Sequence, residues 1–281
     1  GGGSGPSFEA AGWDGPTPEF DFSALAKGMA VDVAARALVE VGLESFFLEV
    51  GGEVRVRGER LGGGRGGVFG GKKLAAVDQR GEIADRWRIW REEKARREQD
   101  DLGQGLNSAS VFAALTRQAP EDAVIAVDVG NNTYSFGRYF ECKRQSVLMS
   151  GYLGSIGFAF PAAMGAWAAV GHQRPILSVS GDGGFGQYMG EFNTAVKYGM
   201  NITHVLLNNA QLGKITKEQR AGEWPVWQTS LHNPNFAEYA ELCGGYGIRI
   251  ERKEDLDEAL ADAIAREGPA LVEVLTDAEL V

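Results

Sequence analysis

The sequence has few cysteines, no long apolar run and an excess of acidic residues. Its two cysteines among 281 residues do not suggest the disulfide framework of small secreted proteins, so a reducing compartment is expected. No apolar run reaches the roughly 18 residues of a membrane-spanning helix, and no signal peptide is evident. The formal net charge of −10 argues against non-specific nucleic-acid binding. These absences predict a cytoplasmic protein without a membrane span or a nucleic-acid partner.

Glycine, by contrast, is abundant, with 40 residues, and it marks the stretch around which the chain is organised. A Gly-Asp-Gly triplet at 181–183 follows the β-rich apolar segment 176–180, which predicts a buried strand that ends in a tight turn. Apolar residues then recur at helical spacing through 185–196 and predict one apolar helix face. Residues 202–207 predict a second strand, which leads into Asn-Asn at 208–209.

The order strand, glycine turn, helix, strand predicts a parallel sheet with Asp182 and Asn209 at the carboxyl ends of their strands, where open α/β sheets bind ligands. Glycine backbone N–H groups and a helix N-terminus favour an anion such as a phosphate. Asp182 and the side-chain carbonyl of Asn209 are hard oxygen ligands, which Mg²⁺ combines with phosphate oxygens. The pattern therefore predicts a metal-bridged diphosphate. A simple turn is the alternative for Gly-Asp-Gly, and the paired asparagines argue against it.

This stretch resembles the thiamine diphosphate (ThDP) binding motif, in which Gly-Asp-Gly is followed at about this distance by Asn-Asn. Residues 103–281 are similar to the pyrophosphate-binding domain of the acetolactate synthase and pyruvate oxidase group. The resemblance implies a doubly wound parallel α/β sheet with helices on both faces, with ThDP and Mg²⁺ as cofactors. It also implies that Asp182, Asn209 and the backbone carbonyl of Gln211 hold the metal. The implied substrate is pyruvate or a related 2-oxo acid, which undergoes decarboxylation, carboligation or oxidation.

Two other segments resemble parts of the family's cofactor site. The loop 129–132 is similar to a second diphosphate-contacting loop, although turn formation alone would explain its asparagines. The segment 151–161 resembles the one that supports ThDP between its two rings, with Ile156 as the bulky apolar residue; an ordinary core isoleucine is the alternative. The predicted cofactor-binding residues are Gly130, Asn131, Ser155, Ile156, Gly181, Asp182, Gly183, Gly184, Asn209, Gln211, Leu212 and Gly213.

The remainder of this region alternates between helical and strand patterns. Residues 211–233 lack a clear period, which predicts a long loop over the active site. Glu218 and His232 within it are candidate site residues, and solvated polar residues are the alternative. Strands are also predicted at 124–128, 246–250 and 270–275. Helices are predicted at 107–118, at 234–243 and around 256–264, and an alanine-rich helix is predicted to follow the segment 151–161 and to end at residue 170.

The first 102 residues have a different organisation. Residues 1–20 predict a flexible arm and 61–73 a glycine-rich linker. Residues 21–60 predict a small α+β fragment, with a helix at 30–41 and strands at 45–50 and 54–57. Residues 74–102 are expected to be the tail of a middle domain with a connecting helix. That charged helix, at 82–99, carries a stripe of Ile83, Trp87 and Trp90, which we expect to pack on a neighbouring element.

The fragment at 21–60 resembles an internal piece of the FAD:protein FMN transferase family. The resemblance rests on Lys27-Gly28, on Asp32 and on the turn Gly51-Gly52-Glu53, which border the flavin site in that family. The rest of that family's pattern, including its metal-binding Asp/Thr motif, has no counterpart here. We therefore expect a fold fragment without transferase activity, with flavin binding as the alternative. Because the middle domain is incomplete, we also expect the FAD of some ThDP relatives to be absent.

The resemblance to ThDP enzymes further implies an activating glutamate on a pyrimidine-binding domain, usually in the partner subunit. No segment of the sequence resembles that domain, so no catalytic residue is assigned. We expect either a homo-oligomer or a partner chain that supplies it. Two hypotheses stay open: a component of a split enzyme, or a ThDP·Mg²⁺-binding module without turnover.

Overall fold

The computed structural model describes residues 78–151, 154–170 and 173–280 in full. For four short strands of the N-terminal region it describes the backbone alone. Two compact units are present, Gly1–Ile83 and Ala84–Val281. The described part of the chain contains no helix that is both long and apolar enough to cross a membrane.

The first unit contains two antiparallel strand pairs. Strand β1 (Phe46–Val50) pairs with β2 (Glu53–Arg57), in agreement with the strands predicted there. Strand β3 (Val68–Phe69) pairs with β4 (Lys72–Lys73), so part of the predicted glycine-rich linker is strand. The helix predicted at 30–41, like the side chains of Lys27, Asp32 and Glu53, lies outside the described residues.

The second unit is built on six parallel strands. They are β5 (Val124–Val127), β6 (Ser146–Met149), β7 (Ile176–Gly181), β8 (Ile202–Asn208), β9 (Tyr246–Ile250) and β10 (Ala270–Leu275). The strand order is β6-β5-β7-β8-β10-β9, with every neighbouring pair parallel. Each strand predicted in this unit is present to within one residue, and β6 is additional. The order reverses direction between β5 and β7, which is where doubly wound sheets open a ligand crevice.

Helices pack on both faces of this sheet. The helices of the described residues are α1 (Arg80–Arg97), α2 (Ser108–Gln118), α3 (Asn131–Tyr139), α4 (Ala159–Val170), α5 (Asp182–Tyr188), α6 (Glu191–Lys197), α7 (Gly213–Ala221), α8 (Phe236–Leu242) and α9 (Leu256–Ala265). Ile125 of β5 packs with Phe112 of α2 on one face, while Ala126 packs with Phe160 and Phe185 on the other. This alternation along a strand buried on both faces explains its continuous apolar sequence. The predicted doubly wound α/β fold is confirmed.

The helix predicted through 185–196 is divided into α5 and α6. Met189 and Gly190 stand at the break, and glycine is a poor helix former. The predicted apolar face nevertheless persists, because Phe185 and Phe192 are buried in the same core cluster.

The prediction of an aperiodic loop over 211–233 was wrong at residues 213–221, which form α7. Only Gly213 and Thr216 of this helix are buried, so its sequence has no apolar period to detect. The loop prediction for 129–132 was also too long, since α3 begins at Asn131.

The predicted charged helix is present as α1, but of its predicted apolar stripe only Trp90 is half-buried. Trp87 is 46% exposed and Ile83 is exposed as well. The residue that α1 buries is Lys94, whose Nζ lies 3.3 Å from Oε1 of Glu141. A lysine at this position satisfies its charge through that carboxylate while its stem covers apolar surface.

Candidate functional site

A pocket of about 350 Å³ lies at the carboxyl edge of the sheet, at the point where the strand order reverses. The loops after β5, β7 and β8 contribute most of its lining. The sequence-predicted residues among this lining are Gly130, Asn131, Ile156, Gly181, Asp182, Gly183, Gly184, Asn209, Gln211, Leu212 and Gly213. Ser155 is not part of the lining and is exposed. The topology thus brings together segments that are far apart in the sequence.

The pocket also contains residues that are not among the predicted cofactor-binding residues, although some lie in the predicted segments 129–132 and 151–161. They are Val129, Asn132, Gly154, Leu207, Lys214, Ile215 and Thr276. Thr276 directly follows β10, so its position after a parallel strand could have placed it at the same edge. The candidates Glu218 and His232 do not line the pocket, and Glu218 instead pairs with Lys214 at 2.9 Å.

Three helices, α3, α5 and α7, begin at the pocket without a side-chain cap, and α3 and α7 are the two longer ones. The N-cap of α3 is Gly130, with φ of 124°, and the N-cap of α7 is Leu212. Neither N-cap residue makes a side-chain capping hydrogen bond, and both line the pocket. The first N–H groups of a helix lack intrahelical acceptors and attract anions. This geometry suits a ligand with anionic oxygens.

Gly213 allows the loop after β8 to approach the loop after β5. A Cβ at this position would lie 2.7 Å from Nδ2 of Asn131, so a larger residue would displace the Asn131 amide. Glycine therefore leaves room for the observed position of that amide. The close contact places the starts of α3 and α7 on either side of one small volume.

Asp182 is a buried carboxylate at the start of α5. It is 3% exposed, accepts a hydrogen bond from the Gly183 N–H at 3.0 Å, and accepts one from Nδ2 of Asn233 at 2.7 Å. Burial raises its pKa above the ordinary 3.8, while the bonds from Asn233 and Gly183 act in the opposite direction. No Lys, Arg or His among the described residues forms an ion pair with it. A buried carboxylate with remaining lone pairs is suited to a cation.

Two other polar atoms at the pocket have no hydrogen-bond partner among the residues that the structure describes. Nδ2 of Asn131 and Oγ1 of Thr276 are both buried without a hydrogen bond. Buried polar groups are normally paired, so each such atom calls for a ligand, an ion or water. An oxygen-rich anion beside Asn131 would satisfy its donor.

Asn209 and Gln211 lie in a tight loop after β8. Oδ1 of Asn209 accepts the Gln211 N–H at 3.0 Å, and Ala210 between them has φ of 52°. A carbonyl oxygen that accepts one hydrogen bond keeps a second lone pair. The described residues contain no group of three His, Cys, Asp or Glu side chains that could hold a metal. The predicted metal ligands are instead one carboxylate, one side-chain amide oxygen and one backbone carbonyl. Mg²⁺ can combine such a small set of protein oxygens with phosphate oxygens.

Asp128, which follows β5, is a second buried carboxylate near the pocket and is 1% exposed. It accepts hydrogen bonds from the backbone N–H groups of Val129, Gly157 and Phe158 at 2.8 to 3.1 Å. Burial raises its pKa, against the effect of these bonds. Asp128 therefore fixes the segment that carries Ile156 into the pocket lining.

Comparison with known proteins agrees with this geometry. Residues 128–274 match the family described as "Thiamine pyrophosphate enzyme, C-terminal TPP binding domain". This match covers just over half of the chain. Residues 12–71 match the ApbE family, in agreement with the flavin-transferase resemblance of residues 21–60.

Individual relatives carry similar names. The chain is 37% identical over 171 residues to "Putative thiamine pyrophosphate-containing protein YdaP" of Bacillus subtilis (strain 168), covering 60% of this chain and 30% of the relative. It is 32% identical over 171 residues to sulfoacetaldehyde acetyltransferase of Castellaniella defragrans, covering 58% and 27% respectively. The chain spans less than a third of the length of either relative.

A solved structure shares the fold. The thiamine diphosphate-dependent 4-hydroxybenzoylformate decarboxylase of Rhodococcus jostii RHA1 superposes with a TM-score of 0.58 and 26% sequence identity. The match covers 63% of this chain and 34% of that one.

Proposed function

Because the chain belongs to the thiamine pyrophosphate enzyme family through its C-terminal TPP binding domain, we propose that the pocket binds ThDP together with Mg²⁺. The observation that carries this proposal is the Asp182 carboxylate, buried at the pocket without an ion-pair partner among the described residues. A divalent cation would compensate its charge. The unpaired Asn131 amide at the same pocket supports an anion beside that cation.

Several predicted residues have a defined task in this proposal. Asp182 and Asn209 offer side-chain oxygens to the metal, and Gln211 offers its backbone carbonyl. The first N–H groups of α3 and α7 face the diphosphate oxygens and neutralise their charge. When bound, ThDP supplies the nucleophilic carbon and the electron sink for chemistry on a 2-oxo acid.

Ile156 is proposed to support the cofactor between its rings. Its neighbour Gly157 donates its N–H to both carboxylate oxygens of Asp128, at 2.9 and 3.0 Å. A β-branched side chain has few rotamers, and this anchored backbone adds rigidity. Ile156 would then act as a stiff wedge that holds a bent ligand.

The proposed substrate class is pyruvate or a related 2-oxo acid, and the proposed reaction is decarboxylation or carboligation. Several similar proteins are named acetolactate synthases, which supports this class. The activating glutamate is expected on a pyrimidine-binding domain, in a second copy or another chain. Binding of ThDP without turnover is the alternative.

The test is calorimetric titration of ThDP into the full chain with and without Mg²⁺. We expect binding that requires Mg²⁺ and that Asp182→Ala weakens at least 100-fold. The control is Asp122→Ala, which removes an exposed aspartate before the amino end of β5. It should bind as the unmodified chain does. If the unmodified chain binds no ThDP, or if Asp182→Ala binds normally, the proposal fails.

A second candidate function rests on the ApbE match at residues 12–71. In this case the N-terminal unit would bind a flavin. A visible absorption spectrum of the purified chain after incubation with FAD and desalting tests it. A retained flavin absorption band in the visible range would support flavin binding, and a colourless protein would exclude it.

A further inference from the structure

We propose that Asn233 is a positioning residue for the metal site and the last member of a hydrogen-bond relay from Glu273 to Asp182. The inference rests on the proposed function. Asn233 lies on the segment between α7 and α8, and its Nδ2 donates to Oδ2 of Asp182 at 2.7 Å and to Oδ1 of Asn208 at 2.9 Å. It therefore connects the proposed metal ligand directly to the end of β8.

The relay has a fixed direction. Glu273 is 0% exposed, and its Oε1 accepts from Nδ2 of Asn208 at 2.6 Å. Because a carboxylate only accepts, Asn208 must turn its amide nitrogen toward Glu273 and its oxygen toward Asn233. Asn233 must then present its amide nitrogen to both neighbours. The orientation of Asn233 toward Asp182 thus follows from a buried carboxylate on β10.

The start of the relay is itself anchored. Oε2 of Glu273 accepts the Ala237 N–H at 3.1 Å, and Nη1 of Arg249 lies 3.7 Å from Oε1. Glu273 therefore has both a charged neighbour and backbone support, as a fully buried carboxylate requires. A rigid first member makes the two following amides rigid as well.

The residues just before Asn233 contact the loop that carries the other two proposed metal ligands, Asn209 and Gln211. The Leu231 N–H donates to the Ala210 carbonyl at 2.8 Å, and the Leu212 N–H donates to the Thr229 carbonyl at 2.7 Å. Gln211 and Ser230 form an antiparallel bridge. The segment 229–233 therefore contacts the loop with two of the proposed ligands and, through Asn233, the third.

Fixed ligands bind a metal more tightly than ligands that must first be ordered, and loss of an orienting partner typically reduces metal affinity 10- to 100-fold. Asp182 uses one lone pair on each oxygen for Asn233 and Gly183, which leaves others for Mg²⁺. Coupling is reciprocal, so bound Mg²⁺ should in turn stabilise the segment 229–233.

The first experiment measures ThDP affinity over a range of Mg²⁺ concentrations in Asn233→Ala. At limiting Mg²⁺ we expect the apparent ThDP affinity to fall about 10- to 100-fold and to recover at saturating Mg²⁺. The matched control is Asn201→Ala, which removes an exposed amide that accepts the Gly268 N–H at 2.7 Å near the amino end of β8. It should leave the Mg²⁺ midpoint unchanged.

The outcomes separate this inference from the proposed function. If the unmodified chain binds ThDP and Asp182→Ala does not, yet Asn233→Ala keeps the normal Mg²⁺ midpoint or a tighter one, the relay is refuted and the proposed function stands. Loss of thermal stability with an unchanged midpoint would show a structural role only, and would equally refute the relay.

A second measurement needs no variant. Hydrogen exchange of peptides covering 209–212 and 229–233 should slow when Mg²⁺ and ThDP are added, because the Leu212 and Leu231 amides report on the contact between these segments. A peptide containing Gly268 serves as the reference. Unchanged exchange in a chain that calorimetry shows to be saturated with ligand would overturn the proposed coupling.

Discussion

Asp128 and Asp182 occupy equivalent places in the sheet but have different environments. Each stands where a strand ends, after β5 and β7 respectively, and each is almost fully buried. Burial raises the pKa of both carboxyl groups. Asp128 accepts three backbone N–H groups, whereas Asp182 accepts the Gly183 N–H and the Asn233 amide, and the nearby Ala210 N–H also acts to lower its pKa.

Burial and the direction of the pKa shift therefore do not separate a structural carboxylate from one available to a ligand. The separating property is how many lone pairs the protein already uses. Asp128 joins the loop after β5 to residues 157 and 158, and it does not line the pocket. Asp182 lines the pocket and retains unused acceptor capacity. Each of the following predictions tests this distinction.

The largest expected effect is on folding in Asp128→Ala. The buried N–H of Gly157 and the part-buried N–H groups of Val129 and Phe158 would lose their acceptor, at about 1 kcal/mol or more each, so the free energy of unfolding should fall by about 3 kcal/mol. Asp182→Ala should cost about 1 kcal/mol, because half-buried Asn233 can turn to water or to Asn208. Urea denaturation without Mg²⁺ and ThDP measures both values. Equal losses of unfolding free energy in the two variants would contradict the proposed difference between Asp128 and Asp182.

The second prediction concerns the contact between α5 and Asp128. A Cβ on Gly184 would lie 2.2 Å from Oδ2 of Asp128 and 3.2 Å from the Gly157 nitrogen. Gly184→Ala should therefore lower the free energy of unfolding by about 1 to 3 kcal/mol. Gly186 in the same helix has nothing within 4 Å of its added Cβ.

Gly186→Ala is consequently a matched control, and it should raise the free energy of unfolding by up to about 1 kcal/mol through helix propensity. Thermal unfolding of the two variants would show shifts of opposite sign. A neutral Gly184→Ala would mean that Asp128 is not tightly held.

The sequence predicted the fold where buried strands give continuous apolar runs, as in β7 and β8. It missed β6 because this edge strand is mostly exposed and so lacks that pattern. It missed α7 for a similar reason, since a helix with two buried residues has no apolar stripe.

The candidate site was likewise predictable only where its residues follow a local sequence pattern. The motif at 181–183 and the asparagines at 208–209 are recognisable from local spacing alone. Asn233 is 51 residues from Asp182 in the chain and meets it only through tertiary packing, so no local pattern indicates its role. Asp128 likewise accepts hydrogen bonds from N–H groups that lie 29 and 30 residues away in the chain, so the sequence does not show how fully its acceptor sites are used.

The third prediction concerns pH in the unliganded chain. The folded-state pKa of Asp182 is raised above 3.8 by burial, so between these two values the folded state holds a proton that the unfolded state has lost. Stability is fully present below pH 3.8 and declines as the pH rises through the raised pKa, by at most about 1.4 kcal/mol per pH unit.

The difference in unfolding free energy between the unmodified chain and Asp182→Asn isolates this effect. Buried His204 acts in the opposite direction, because burial lowers its pKa from 6.5 to about 3, but both proteins contain it. We expect the unmodified chain to lose stability relative to Asp182→Asn as the pH rises. The reverse trend would show that the hydrogen bonds to Asp182 outweigh its burial, and that Asp182 resembles a structural carboxylate.

The smallest expected effect on folding is in Asn131→Ala, which extends the distinction to two adjacent asparagines. Nδ2 of Asn131 has no partner within the described part of the chain, whereas Nδ2 of Asn132 donates to the Asp128 carbonyl at 2.8 Å. Asn131→Ala should change the free energy of unfolding by less than about 0.5 kcal/mol, while Asn132→Ala should lower it by about 1 kcal/mol.

The order of the two variants should reverse for ThDP binding. The affinity should fall about tenfold in Asn131→Ala, since a lost hydrogen bond to a charged oxygen is worth about 1.5 kcal/mol or more. Urea denaturation and calorimetry on the same two proteins provide both measurements. If Asn131→Ala instead destabilises the fold and leaves ThDP affinity unchanged, an unpaired polar atom at this pocket does not mark a ligand contact.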